Sequence, residues 1–333
     1  MTNEIPTPVL TDLNDESTAD TLLQYRDAHE RGSDQYAPMV QTFYKLVTDF
    51  YEFGWGSSFH FAPTKAGASF EESIASHQHY LGESMGLRPG LNVLDIGCGV
   101  GGPQRSMART FGPSITGLNI SAYQLQKCEE YNKEAGLDEL CHLLLGDFMA
   151  IPAEDQSFGA AYHIEAIPHA PDKIGVYKEI FRVLEPGAIF AGYDWCMTPL
   201  YDAENPIHRK IKEGIEYGNA LPQIVSFTDV NDGLQEAGFE LLETRDRAID
   251  SDPETPWYQP LEGNLRTLKG LPRSSGGRKV VASILRALEI IRAVPKGTSE
   301  TCRILNNAAD SLVAGGRLGI FTPMYFHKAQ KPN

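Results

Sequence analysis

The sequence predicts an α/β protein built on a doubly wound, mostly parallel, seven-stranded sheet with helices on both faces. Three observations carry that prediction. The centre of the chain alternates short apolar runs with helical segments, a spacing that implies a parallel sheet covered on both sides. One run, Val93-Leu94-Asp95-Ile96, turns directly into Gly97-Cys98-Gly99-Val100-Gly101-Gly102-Pro103, a glycine-rich passage from strand to helix. The chain has 333 residues and is 41% hydrophobic, enough for one large domain or two smaller ones with a real core.

Residues 1–20 are polar and acidic and read as a mobile N-terminal arm. Residues 21–68 form an aromatic-rich segment in which a helix covers 38–52 and Gly54 and Gly56 break it. A helix over 69–86 opens the core region, 69–200. Strands are expected near 92–96, 114–118, 140–145, 158–164 and 188–195, with helices near 103–111, 121–135 and 172–184. Glu185-Pro186-Gly187 makes a turn. The pattern changes over 201–333, which begins with a polar helix at 204–217. Thr228-Asp229 then caps a short helix that Gly238 closes, and a strand follows near 239–247. Residues 250–278 are rich in Pro and Gly and read as irregular. An apolar-faced helix spans 279–293, and a helix over 298–313 leads through Gly315-Gly316 into a closing strand at 317–326.

The net charge of −15 argues against nucleic acid as a partner and against simple adhesion to anionic lipid. The five cysteines are scattered, with neither a disulfide framework nor metal-ligand spacing, so a reducing compartment and no metal are expected. The first residues lack the charged and apolar regions of a signal peptide. No uncharged apolar run approaches the length of a membrane span, so any membrane contact is peripheral. The expected location is intracellular, either cytoplasmic or peripheral at the endoplasmic reticulum or another membrane surface.

The glycine turn suits a nucleoside cofactor, because glycines let the backbone approach a ligand closely. Gly97, Gly99 and Gly102 also fit G-x-G-x-x-G, so NAD is a contender. Two details turn the reading to S-adenosylmethionine. Asp95 stands just before the glycines, where it would repel a pyrophosphate but welcome an ammonium. The second strand ends in Asn119, not in the acidic residue of the dinucleotide fingerprint. Ligands in such sheets lie beyond the carboxyl ends of the strands, where Gly97–Gly102, Asn119, Asp147 and Glu165 converge. The expected cofactor set is Asp95, Gly97, Gly99, Gly101 and Gly102, with Asn119, Gln124, Gly146, Asp147, Phe148 and Ile164. In this set Asn119 meets the ribose hydroxyls, Asp147 the adenine amino group and Phe148 the ring. Asp147 equally reads as a helix cap after a strand.

Several strings outside this core carry a resemblance. They are Tyr51-Glu52-Phe53-Gly54-Trp55-Gly56-Ser57-Ser58-Phe59-His60-Phe61-Ala62, Ile164-Glu165-Ala166 with His169-Ala170-Pro171-Asp172, Glu179 through Gly187 to Met197-Thr198, and Gly315-Gly316-Arg317 with Gly319-Ile320-Phe321-Thr322-Pro323-Met324. From Tyr51 to Pro332 the chain resembles the sterol 24-C-methyltransferases. The resemblance implies a class I methyltransferase fold and transfer of a methyl group from S-adenosylmethionine to the side-chain double bond of a sterol. An alkene needs no activating base, but the carbocation left by methyl transfer must be shielded and stabilised, which aromatic faces do at about 0.5–2 kcal/mol each. Tyr51, His60, Glu165 and His169 are the implied catalytic groups, the last three as bases or polar anchors. Phe53, Trp55, Phe59, Phe61, Ile167 and Trp195 are the implied pocket wall. Each has a plainer reading: aromatic stripes pack cores, His60 sits between two phenylalanines, Glu165 can bind a loop amide, and His169 can shape a turn.

The family also associates into oligomers, so a homo-oligomer is implied. Ile167-Pro168 replaces the usual Thr-Cys, Asn119-Ile120 the usual Asn-Asn, and Asp194 the usual Glu. The remaining alternatives are another apolar acceptor, such as a linear triterpene or unsaturated lipid, and a sterol-binding protein without catalysis. The apolar helix at 279–293 reads either as core-facing or as a membrane-surface element.

Overall fold

A computed structural model describes residues 18–31, 36–262, 275–294 and 296–333. Expectations that fall on residues 1–17 and 263–274 lie outside the described residues. The strands are β1 (Asn92–Ile96), β2 (Ser114–Asn119), β3 (Cys141–Leu145), β4 (Phe158–Ile164), β5 (Leu184–Met197), β6 (Val225–Ser226), β7 (Glu240–Asp246) and β8 (Phe321–Gln330). They pair in the order β3-β2-β1-β4-β5-β8-β7, with the two-residue β6 alongside β5. The first five strands are parallel, and β8 runs antiparallel between β5 and β7. The seven-stranded sheet is thus present, with one short addition.

In β1 every residue from Val93 to Ile96 is buried, because helices cover both faces of the sheet. On one face Leu94, Ile96 and Phe190 pack with Val176 and Ile180 of α6 (Lys173–Val183) and Val230 of α8 (Phe227–Glu236). On the other, Val93, Ile115 and Tyr193 pack with Leu81 of α3 (Phe70–Met85) and Met107 of α4 (Gly102–Phe111). The remaining helices are α1 (Thr18–Arg31), α2 (Tyr36–Trp55), α5 (Ala122–Glu134), α7 (Pro206–Gly218), α9 (Gln259–Glu262), α10 (Ser275–Ile290) and α11 (Thr298–Leu318).

Several boundaries differ from the sequence reading for physical reasons. Gly54 does not break α2, which runs on to Trp55 and stops where Gly56 takes a φ of 77°. The cap of α8 is Ser226, whose hydroxyl accepts from the Asp229 amide while Asp229 answers its backbone, so Thr228 is not the cap. Gly315 and Gly316 lie within α11, and the left-handed Gly319 ends the helix. A Cβ on Gly316 would lie 2.3 Å from the Tyr258 ring, so this glycine serves close packing. The closing strand therefore starts at Phe321. All five cysteines are buried and none is in a disulfide. Among the described residues no helix is long and apolar enough to cross a membrane. Ile284 and Ile290 of α10 are exposed.

Candidate active site

The carboxyl ends of β1, β2 and β4 open into a cleft that α2 and the segment after it roof over. Its floor is the glycine loop. Gly97 and Gly99 adopt left-handed φ values of 74° and 56°, which an L side chain resists. At Gly97 a Cβ would lie 2.4 Å from the Ala166 Cβ, so the loop after β1 abuts the loop after β4. At Gly99 the nearest neighbour of an added Cβ is the Phe59 ring, 3.9 Å away. An aromatic side chain of the N-terminal segment thus sits directly against the nucleoside loop.

Asp95 lines this cleft, is buried, and leaves Oδ2 without a hydrogen-bond partner. Burial pushes its carboxyl up to about 7. An orphaned carboxylate oxygen beside a glycine cradle fits the ammonium of S-adenosylmethionine. Asn119, Gln124, Gly146, Phe148 and Ile164 also line the cleft. Asn119 is held in place: its amide donates to Gly99 O at 3.3 Å and Gln124 Oε1 at 2.9 Å, and its oxygen accepts from the Ser121 amide.

Three expected cofactor residues do not line the cleft. A Cβ on Gly101 would meet Cys128 Sγ at 2.3 Å, and one on Gly102 would meet Ser57 O at 2.1 Å, so both glycines serve packing. Asp147 caps the 3-10 turn at 148–150 through the Met149 amide, and its Oδ1 also accepts from the Tyr36 hydroxyl.

Helix α2 supplies residues that the sequence reading missed. Tyr36, Val40 and Tyr44 line the cleft, and Thr48, one turn further on, accepts from Gln124 Nε2 at 3.1 Å. Their spacing of four is the signal that could have found them. Tyr36 stacks near Phe148 with ring centroids 5.9 Å apart. Gln41 donates to Ile120 O, and Glu52 receives Lys127 Nζ and the Tyr131 hydroxyl, each at 2.6 Å. The helix is therefore latched along its length to the segments after β2 and β3 and to α5.

Glu165 faces the cleft from the end of β4 with a left-handed φ of 59°, a conformation costing a non-glycine residue about 1–3 kcal/mol. Its Oε1 accepts from the Phe61 amide and its Oε2 from the Trp195 indole, each at 2.8 Å. Burial raises its pKa, and the two N–H donors oppose that rise. His169 also lines the cleft. Its Nδ1 lies 3.1 Å from Ala220 O, which places the proton on Nδ1, and its Nε2 accepts from the Tyr44 hydroxyl at 3.0 Å. Burial lowers its pKa to about 4, so the ring is neutral at pH 7.

His60 touches the same cleft but has both nitrogens engaged: Nδ1 donates to Phe61 O at 2.8 Å, and Nε2 accepts from Gln78 at 2.9 Å. Its ring anchors the segment and turns no free nitrogen toward a substrate. Tyr51 stands behind Phe59, edge-on at 5.5 Å between ring centroids. Phe61 turns away and packs edge-on against Trp257, with centroids 5.0 Å apart. Trp195 packs against Phe321, and Ile167 is buried in the sheet core. The side chains of Phe53 and Trp55 lie outside the described residues.

Comparison with known proteins agrees with this geometry. Residues 94–192 match the methyltransferase domain family, and residues 268–333 match the sterol methyltransferase C-terminal family. The chain is 47% identical to cycloartenol-C-24-methyltransferase of Arabidopsis thaliana, over 89% of this chain and 88% of that protein. It is 44% identical to sterol 24-C-methyltransferase of Saccharomyces cerevisiae, over 92% of this chain and 82% of that one. Among solved structures, a cyclopropane synthase from Mycobacterium tuberculosis superposes with a TM-score of 0.69 at 16% identity, covering 88% of this chain and 97% of that one, a likeness of fold. A glycine cradle under an orphaned carboxylate and an aromatic roof, on a chain nearly half identical to such relatives along most of its length, together place this chain in the sterol C-24 methyltransferase family.

Proposed function

We propose that the chain methylates the C24 side-chain double bond of a sterol in sterol biosynthesis, with S-adenosylmethionine as methyl donor. The observation that carries this reading is the meeting of Phe59 with the Gly99 loop, opposite Glu165 and His169. When bound, the cofactor supplies an electrophilic methyl group on a sulfonium. The chain's own residues do the rest. Asp95 holds the ammonium end, and the backbone at Gly97 and Gly99 gives the nucleoside room. Tyr44 and Phe59, backed by Tyr51, wall the alkene off from water and turn ring faces to the carbocation. The Glu165 carboxyl, fixed by two N–H donors, would in its ionised form set negative charge toward the same space. Such preorganised charge acts only as the cation forms and so lowers the barrier selectively. The proton lost from the carbon next to the cation passes to the Tyr44 oxygen as Tyr44 hands its own proton to His169 Nε2. The products of that step are an alkene and an imidazolium.

The exposed Ile284, Ile290 and Ile291 on and after α10 support peripheral contact with the bilayer from which a sterol must be drawn. Vesicle flotation of Ile284→Asp/Leu288→Asp tests this, and unchanged lipid binding refutes it.

The decisive experiment offers radiolabelled S-adenosylmethionine with a panel of sterols and linear triterpenes, followed by mass spectrometry of products. Label in a C24-methyl sterol is expected. Label only in a linear triterpene, or tight sterol binding without label, overturns the reading. Tyr51→Ala and Glu165→Gln should each reduce turnover more than cofactor binding.

A further inference from the structure

Behind the cleft, on the face of the sheet covered by α6 and α8, three polar side chains meet in the core. His163 on β4 is in register with Gly192 on β5, which is in register with His327 on β8. Gly192 makes room for the rings; a Cβ there would lie 2.2 Å from His163 Cδ2. The two imidazoles reach over the glycine and bring their Nε2 atoms to 2.9 Å. Two residues along β5, on the same face, Asp194 sets Oδ2 3.6 Å from His163 Nε2 and 3.5 Å from His327 Nε2. The side chains of His163, Asp194 and His327 are 0%, 1% and 0% exposed. Both Nδ1 atoms and both carboxylate oxygens lack a hydrogen-bond partner.

A proton shared between the two Nε2 atoms would satisfy those atoms alone. The buried carboxylate would stay without a protein donor, a cost of several kcal/mol. A cation at the centre of the triangle takes one lone pair from each group at once. Tetrahedral zinc, with bonds of about 2.0–2.2 Å, requires ligand atoms about 3.3 Å apart, close to the three separations here. Two imidazoles and a carboxylate suit a borderline transition metal better than calcium or magnesium.

We propose that His163, Asp194 and His327 form a buried site for one divalent transition-metal ion, such as zinc, with the fourth position left to a small ligand. The ion clamps β4 to β5 and β8 immediately behind Ile164 and Glu165, which line the cleft. Its ligands come from three strands, and the histidines lie 164 positions apart, so no metal spacing shows along the chain.

Metal analysis of the untagged full-length chain, purified without chelators and then supplied with Zn²⁺, tests the site. About one ion per chain is expected, with a thermal midpoint that rises as zinc is added. Replacement by Co²⁺ should give the visible absorption of a tetrahedral site. Asp194→Asn, nearly equal in shape, and His327→Phe should each reduce the metal content at least tenfold. Wild-type protein that holds less than a tenth of an ion per chain after zinc is supplied, and shows no thermal shift, overturns the proposal. So does equal metal content in wild type and both variants. If either variant fails to fold, the wild-type stoichiometry and the cobalt spectrum decide.

Discussion

Acid should weaken cofactor binding through Asp95. Burial pushes its carboxyl up to about 7, and only the carboxylate attracts an ammonium. The ionised fraction is about 9% at pH 6 and about 70% at pH 7.4. The ligand's α-amino group, with an ordinary value of about 7.7–8.0, loses its own proton above that range. The product of the two fractions peaks near pH 7.4, about five- to six-fold above its value at pH 6. Calorimetric titration with S-adenosylmethionine at fixed ionic strength should trace this curve. Asp95→Asn should bind more weakly and lose the acid limb. Glu165 is the competing source, since burial raises its carboxyl too. An affinity that changes less than twofold between pH 6 and 7.4, or an acid limb that survives in Asp95→Asn, refutes the reasoning. A stability effect of opposite sense accompanies it. Asp95 is raised above its ordinary 3.8, so the stability its neutral form lends is present below that value and is lost as pH rises through about 7. The cofactor-free protein should lose about 1.4 kcal/mol between pH 6 and 8 from this group, a loss absent in Asp95→Asn by thermal unfolding.

Glu165→Gln removes the charge and turns an amide NH₂ toward one of its two N–H donors. It should lower kcat about 10²–10³-fold with little change in cofactor affinity, and a wild-type rate refutes the role. Tyr44→Phe removes the proton acceptor and its link to His169 and should lower kcat about 10²–10⁴-fold at unchanged KM; steady-state kinetics with sterol as the varied substrate checks it. Gly97→Ala must adopt a left-handed backbone and drive a methyl group into Ala166. The cost is about 1–2 kcal/mol for the backbone and about 1–3 for the overlap, read as a lower thermal midpoint and weaker cofactor binding. An unchanged midpoint would show that the two loops are not in contact.

Parallel strands buried on both faces read clearly in the sequence: 92–96 and 158–164 match β1 and β4 to the residue. The glycine loop and Asp95 were legible because their chemistry is local. Glycine as a stop signal misled at Gly54, Gly315 and Gly316, because small size can serve close packing as well as chain reversal, and only tertiary contacts tell the two apart. Phe61 and Trp195 are aromatic and near the site, yet their tasks lie in N–H groups that hold Glu165, a role set by which way each ring turns. The stripe of Tyr36, Val40 and Tyr44 was hidden by an aromatic-rich stretch in which every third or fourth residue is apolar. Contacts made across more than a hundred residues, such as His163 with His327, leave no mark on local pattern.

Helix α2 makes two binding events interdependent. Its polar ties reach the segments after β2 and β3 and α5, while Tyr36, Val40 and Tyr44 of the same helix line the cleft. A nucleoside seated against those segments should fix the roof, and raising the roof to admit a rigid ring system should loosen the hold below. Turnover is then expected to run in a compulsory order, nucleoside first to arrive and last to leave; product inhibition by the demethylated cofactor that is competitive with the methyl donor and not with the lipid checks it.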